Sequence, residues 1–445
     1  MKKMTRRNFL LNTLTSAATL PLASLLPRTG QAAGDYRALV CVLLEGGADS
    51  FNMIVPTQTT PYNKYAQLRG NMALPKNELL PLAGTDYGLH PRMNEMHDFF
   101  AQGRMAIVAN LGTLIQPVTH EEAAAGTNLP LHLFSHNSQR DLWMTANARN
   151  IERTGWAGRL KAAMDRDNAF FNVSVNGRNL MQRGPDGDAM VINGDIAPFD
   201  DFYRVRNGDT DPGLPYRKMI HLGMSDRNAL VSDFARTRQD ELNLLENAGG
   251  MLDGIETSTS FPPGVHESGK PLGEQLRLVA RLIQAAQIPD NVPGNPRRQI
   301  FFVNHHGWDT HNTPLDSNNH QVDYLDKSLG AFLAEMQALG LDDQVTTFTI
   351  SDFGRSLTPN GSGTDHGWGG HAWVMGGAVH GGILGTMPRM EINSPDALDD
   401  RLIPKLAVEQ YLATLANWLG AEDSHLDAAF PNLGSFSSSN LGFMG

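Results

Sequence analysis

An apolar run that stops dead at two glycines constrains this chain more than any other feature. Arg37–Glu45 reads RALVCVLLE and is followed at once by Gly46-Gly47. A run that is apolar at successive positions, rather than at every second one, is a strand buried on both faces. Such a strand belongs in a parallel sheet with helices above and below it. The glycines then mark a sharp turn at the strand's carboxyl end.

The rest of the sequence repeats that grammar. Short apolar runs recur at Met105–Leu111, Ile300–Asn304 and Val345–Ser351. Helical spacing links Val322, Leu325, Leu329, Phe332, Leu333, Met336 and Leu339, and again Val408, Tyr411, Leu412, Leu415, Trp418 and Leu419. Strands alternating with helices predict an α/β fold with a mostly parallel central sheet covered on both faces, and they put functional groups at the strands' carboxyl ends. A Gly-, Asp- and Asn-rich stretch, Asn176–Pro215, reads as an elaborated loop. Tyr216–Ala248 reads as one long helical segment, and Gly249–Lys270 as a second loop. At 445 residues the chain has length for two or three domains. The polar clusters at strand ends run from Asp49 to His371, however, which requires one continuous sheet and a single large domain over 34–445.

Residues 1–33 stand apart. Thr5-Arg6-Arg7-Asn8-Phe9-Leu10 fits the twin-arginine export pattern, with a weakly apolar stretch behind it and small residues near Ala32 and Ala33 for cleavage. Asn12, Thr13, Thr15, Ser16, Thr19, Pro21 and Ser24 interrupt that stretch, so it is a poor membrane span. The expectation is a leader over 1–33, read by the twin-arginine translocase, and a periplasmic or secreted mature protein with no membrane span. The formal charge of −11 is then an average: without the five basic residues of the leader, 31 basic side chains face 47 acidic ones, a net charge of −16. So acidic a chain is a poor match for nucleic acid, whose phosphates are bound by clustered Lys and Arg. With one Cys, Cys41, the chain has no disulfide framework and no Cys-based zinc site.

Four strand ends carry groups able to do chemistry. The first is Glu45-Gly46-Gly47-Ala48-Asp49-Ser50, where Asp49 is either a metal ligand or an Asx turn. The second is Asn304-His305-His306-Gly307-Trp308-Asp309-Thr310-His311. The third is Ser351-Asp352-Phe353-Gly354-Arg355, and the fourth Thr364-Asp365-His366-Gly367-Trp368-Gly369-Gly370-His371. Seven of the fifteen His lie between 305 and 380, and imidazole with carboxylate suits a divalent transition metal.

These residues resemble a known family. GGADSFNMIVP (46–56), LHP (89–91), FSHNSQRDLW (134–143), GWDTH (307–311), SDFGR (351–355) and TDHGWGGH (364–371) follow one another as in the twin-arginine-exported proteins catalogued as domain of unknown function 1501, which are sulfatase-like. The likeness extends to YLATLANWLG near the C-terminus. It implies an alkaline-phosphatase-like fold and hydrolysis of a phosphate or sulfate ester, on a small-molecule or saccharide substrate. It also implies divalent metal, zinc in first place with manganese or calcium as alternatives, assisting transfer to a nucleophile. Carried over residue by residue, Asp309, His311 and His371 would form one metal site and Asp49 with Asp352 a second, with Asp365 and His366 competing for places in either. Phe353 stands where many members of the superfamily have His after the second-site Asp.

The resemblance also asks for a nucleophile at a helix N-terminus. Ser135 is the first candidate, because the N-terminus of a helix favours an alkoxide and binds an anion, although a plain N-cap serine looks the same in sequence. Ser138 and Ser50 are further candidates. Arg355 and Arg140 could bind the ester's anionic oxygens, or could form surface ion pairs. A formylglycine sulfatase is excluded, since Cys41 is followed by Val42-Leu43-Leu44 rather than its modification signal. Gly264–Lys270 has the spacing of a phosphate-binding loop, but Pro271 occupies the Ser/Thr position. Two other readings stay open: a non-catalytic metal-binding or envelope-organising protein on the same fold, and a metal-free serine esterase using Ser50.

Overall fold

A strand that must be buried on both faces needs neighbours on both edges, and β1 (Arg37–Leu44) has them. The computed structural model describes residues 36–192, 214–248, 250–264, 270–312 and 315–445. The expected leader therefore lies outside the described residues, as do 193–213 of the first expected loop and 265–269 of the phosphate-loop lookalike. Tyr36–Gly445 forms one compact unit.

In chain order the strands are β2 (Ile54–Pro56), β3 (Leu80–Pro81), β4 (Tyr87–Leu89), β5 (Met105–Gly112), β6 (Asn172–Ser174), β7 (Met190–Val191), β8 (Arg298–His305), β9 (Val345–Ser351), β10 (Arg355–Pro359), β11 (Thr364–His366), β12 (Gly370–Met375), β13 (Gly382–Leu384), β14 (Ala397–Leu398), β15 (Arg401–Leu402) and β16 (Leu406–Ala407). The nine-stranded central sheet has the order β13-β5-β12-β9-β1-β8-β6-β7, and β16 also pairs with β5. β12 alone runs antiparallel to its neighbours; the other pairings are parallel.

Register sets up the site. Leu44 lies opposite His305 on one side and Ser351 on the other. The chain therefore leaves β1, β8 and β9 at one level, and Glu45, His306 and Asp352 emerge together. Antiparallel β12 begins where β5 ends, with Gly370 opposite Leu111, which brings the 364–371 segment to the same edge.

The two faces of β1 explain its uninterrupted apolar run. Ala38, Val40, Val42 and Leu44 pack on the side of the helices Leu272–Ala286 and Leu315–Ala338, while Leu39, Cys41 and Leu43 pack on the side of Trp156–Met164 and Val408–Leu419. At about 25 cal/mol per Å² of apolar surface, these two layers are the main force behind the fold. The helical spacing read from Val322 to Met336 falls in Leu315–Ala338, with Leu339 one residue past its end, and that at 408–419 falls in Val408–Leu419.

One expected element is two. Tyr216–Ala248 is divided into Leu214–Gly223 and Ala229–Ala248. Between them the Asp226 carboxylate accepts the Asn228 N–H at 2.7 Å, and the Asn228 side-chain oxygen Oδ1 accepts the Leu230 N–H at 3.0 Å. Side chains that bond nearby amides in this way compete with helix propagation and start a new helix instead.

Candidate metal centre

The Gly46-Gly47 turn comes first, because everything else is packed onto it. Both residues have positive φ, 120° and 87°, and a Cβ on Gly46 would stand 2.3 Å from the Asp309 nitrogen. A Cβ on Gly47 would stand 2.6 Å from the Phe353 ring. No other residue fits either position without displacing the two loops that carry the site.

Arg355 locks those loops together. Its guanidinium is fully buried and donates to the carbonyls of Gly47 (2.7 Å), Gly46 (2.5 Å), Trp308 (2.9 Å) and Thr364 (3.1 Å), and to Asp309 Oδ1 (2.6 Å). A planar fork with five donors suits this task, and Lys would not replace it. Arg355, expected to bind substrate, is instead spent on backbone carbonyls and on aiming Asp309. Burial opposes ionisation of the Asp309 carboxyl, but the Arg355 hydrogen bond and charge, with His136 and His311 nearby, hold it below the ordinary carboxylate range.

Four side chains converge here. Ligand atoms of His136, Asp309, His311 and His366 all lie within 4.8 Å of one another, the one such group among the described residues. Asp309 is 3.4 Å from His136 Nε2, 3.2 Å from His311 Nε2 and 3.6 Å from His366 Nε2, and the last two nitrogens are 2.7 Å apart. Donors around a four-coordinate zinc at about 2.0–2.1 Å sit roughly 3.3 Å from each other.

The outer nitrogens decide which way each imidazole presents its lone pair. His136 Nδ1 faces Asp352 Oδ2 at 2.7 Å, His366 Nδ1 faces the Phe134 carbonyl at 2.7 Å, and His311 Nδ1 faces Asp365 Oδ1 at 3.4 Å. An acceptor at Nδ1 keeps the proton there and turns the Nε2 lone pair inward, the usual support for a metal-ligating histidine. His136 Nε2 is buried and has no hydrogen-bond partner. Burial in the first place, and the cationic neighbours in addition, lower the His366 pKa against the opposing Phe134 hydrogen bond, favouring the neutral ring that binds metal. Three imidazoles and one carboxylate fit a zinc-type divalent ion.

Each ligand arrives by a separate local device. Phe134 has φ of 75°, a conformation that costs a non-glycine residue on the order of 1–3 kcal/mol, and its carbonyl meets His366. His136 opens the helix His136–Thr145 directly after the N-cap Ser135, whose side chain makes no capping bond. His366 closes β11, opposite Arg355 in the β10–β11 hairpin. Phe353 packs its ring 4.8 Å from His136 and 4.6 Å from His366, so the place expected to separate this chain from two-metal relatives is a wall of the cluster.

The expected ligands thus divide. Asp309, His311 and His366 are in the cluster, and Asp352 supports it through His136. Asp49 is outside it: its carboxylate pairs with Arg69, and both side chains are buried. His371 is also outside it, buried, with Nδ1 accepting the Asn110 N–H at 3.1 Å. Two metal sites are therefore not assembled among the described residues. Arg140 is paired with Glu45, which also accepts from His306 (2.6 Å) and Asn304 (2.6 Å). Ser50 is 1% exposed and its Oγ accepts the His371 N–H at 3.0 Å, so it does not present a nucleophile. His136 was not among the ligands expected from sequence; its signal was its place in FSHNSQRDLW, next to Ser135.

Residues 295–420 match the model of a family described as protein of unknown function (DUF1501). No curated protein matches the sequence. Among solved structures, the chain is similar to a protein in the alkaline phosphatase superfamily from Vibrio parahaemolyticus, at 10% identity over 87% of this chain and 67% of that one, with a TM-score of 0.38. It is also similar to the zinc complex of the C-terminal periplasmic domain of EcEptC from Escherichia coli (10% identity, 88% and 85% covered, TM-score 0.34). A third is the lipoteichoic acid synthase LtaP from Listeria monocytogenes (9% identity, 87% and 72% covered, TM-score 0.31).

Proposed function

We propose that this chain, with a DUF1501 segment over residues 295–420, is an exported metal-dependent hydrolase of phosphate or sulfate esters. The observation that carries the reading is the convergence of His136, Asp309, His311 and His366, with the outer nitrogens of His136 and His366 held by acceptors and that of His311 facing Asp365. A divalent ion bound there supplies Lewis acidity toward an ester oxygen and neutralises developing negative charge. The protein's own residues do the rest. Arg355 holds the Asp309 carboxylate in place, Asp352 orients His136, and Phe353 excludes water from one side of the rings. Ser135 stands at the N-terminus of the His136–Thr145 helix, where the backbone dipole favours an anion, and its hydroxyl is not used as a cap. It is the nucleophile in this proposal. Export through the twin-arginine translocase, directed by residues 1–33, places the enzyme in the periplasm or outside the cell; no helix among the described residues is long and apolar enough to cross a membrane.

The test is metal analysis of the purified protein, followed by hydrolysis of p-nitrophenyl phosphate and p-nitrophenyl sulfate with and without chelator. About one divalent ion per chain is expected, lost in His136→Ala and Asp309→Ala, and with it a chelator-sensitive activity that Ser135→Ala also removes. Absence of a stoichiometric ion would sink the proposal. A second reading, metal binding without turnover, is favoured by one feature: both arginines expected to receive an anionic ester are tied to protein partners. Full metal occupancy with no hydrolysis of either ester selects that reading.

A further inference from the structure

A separate cavity of ≈ 190 Å³ opens between the Thr59–Arg69 helix, Phe51, β2, β4 and the 387–391 segment. Phe51, Ile54, Tyr87, Met387 and Met390 give it a soft, mainly apolar wall. Lys64 and Glu391, both partly exposed, form an ion pair at its rim and so cancel each other's charge. From β12, His371 reaches the same cavity while remaining 9% exposed, with its ring edge-on to Phe51 at 5.4 Å.

His371 has a defined polarity. Its Nδ1 accepts the backbone N–H of Asn110, so the proton of the neutral ring is on Nε2. Among the described residues nothing takes that proton. That donor opens on the cavity, where a ligand acceptor would take the place of water. The charged groups around the cavity are already paired, Lys64 with Glu391 and Arg389 with Asp396, so a charged occupant would find no unpaired counter-ion and an uncharged one is favoured. A cavity of about 150 Å³ is enough for benzene, so the volume suits one six-membered ring with a small substituent. Methionine side chains adapt to aromatic faces, and two of them line this space.

We propose that this cavity is a second ligand site, taking an uncharged monocyclic aromatic compound with a carbonyl acceptor that receives the His371 Nε2–H. The site is independent of the metal centre and of the function proposed for it.

Benzamide is the probe and toluene, which lacks the acceptor, its control, both titrated into the full chain by ligand-observed NMR. Saturable binding of benzamide at a single site is expected. His371→Phe keeps a ring and loses the donor, so it should weaken benzamide about tenfold and leave toluene unchanged. Ile54→Trp fills the cavity and should abolish binding of both. In the unaltered protein the His371 Nε2 resonance should shift on adding benzamide, a readout that needs no variant to fold. No saturable binding, or binding that survives Ile54→Trp, overturns the site. Binding with an unmoved Nε2 resonance overturns the role of His371.

Discussion

Asp309 and Asp49 begin alike and end differently. Each follows an apolar strand of the same sheet, each comes after a glycine turn, and the strands they follow are neighbours in register. Asp309 is half exposed and meets three imidazoles, with Arg355 steadying one oxygen. Asp49 is buried and meets Arg69, which also donates to Asn52 and to the Ser356 carbonyl. The same contrast separates His366, whose Nε2 faces the cluster, from His371, whose Nδ1 is taken by the Asn110 amide. A strand end is thus a place where chemistry can be built, and the partner that arrives from elsewhere decides whether it is.

The comparison is most exposed at Arg69. Arg69→Met strands a buried carboxylate, and a loss of about 3–5 kcal/mol is expected in chemical denaturation. Asp49→Leu/Arg69→Met, which removes both charges, should recover most of it. Neither variant should change the bound metal; a drop in metal content would put Asp49 back among the ligands. Next in size is Asp352→Asn, expected to weaken metal affinity about 10–100-fold through His136 while leaving the unliganded fold intact, as competition with a chromophoric chelator would measure.

The pH dependence of His371 is a smaller effect. Burial pushes its pKa down to about 3, so below 6.5 the unfolded chain takes up a proton that the folded one refuses. Stability should therefore fall as pH drops from 6.5, by about 2 kcal/mol at pH 5, and His371→Phe should flatten that slope in thermal unfolding. A slope unchanged in the variant would show that the ring is solvated. The smallest effect concerns a carboxylate that has neither cation nor metal. Asp326 accepts the amides of Glu95 (3.0 Å) and Met96 (2.9 Å) at the start of the Asn94–Ala101 helix. Burial outweighs these bonds and raises its pKa to about 6, so the folded state gives up stability as pH rises through 6. Asp326→Asn removes the charge but keeps only one of the two acceptor oxygens, so one of these amides loses its partner. Its stability should lack the fall that the unaltered protein shows between pH 4 and pH 7, as thermal unfolding at the two pH values would measure.

Much of the fold was legible in the sequence. β1, β5, β8 and β9 lie where continuous apolar runs predict them, since a strand covered on both faces has no polar alternation to blur its limits. The helical spacing at 322–339 and 408–419 was equally clear. The break at 224–228 was not, because Asp226 and Asn228 act through side-chain bonds to nearby amides that no apolar period records. Within the site, Asp309, His311 and His366 were legible as strand-end ligands. His136 was less so, coming from the first turn of a helix, with no strand before it.

The amino-acid order alone therefore determined an α/β sheet, the glycine turn that lets three loops approach each other, and the row of polar groups at one edge. Those properties are local: they depend on continuous apolar runs, on residue periods of three to four, and on glycine's access to positive φ. Which polar groups form a site was decided only in the tertiary structure. Arg69 reached Asp49 from a neighbouring helix, Asp352 reached His136 from another strand end, and the Asn110 amide reached His371 across the sheet. Burial and directed hydrogen bonds between residues far apart in sequence select one partner for each group, and no local pattern encodes that selection.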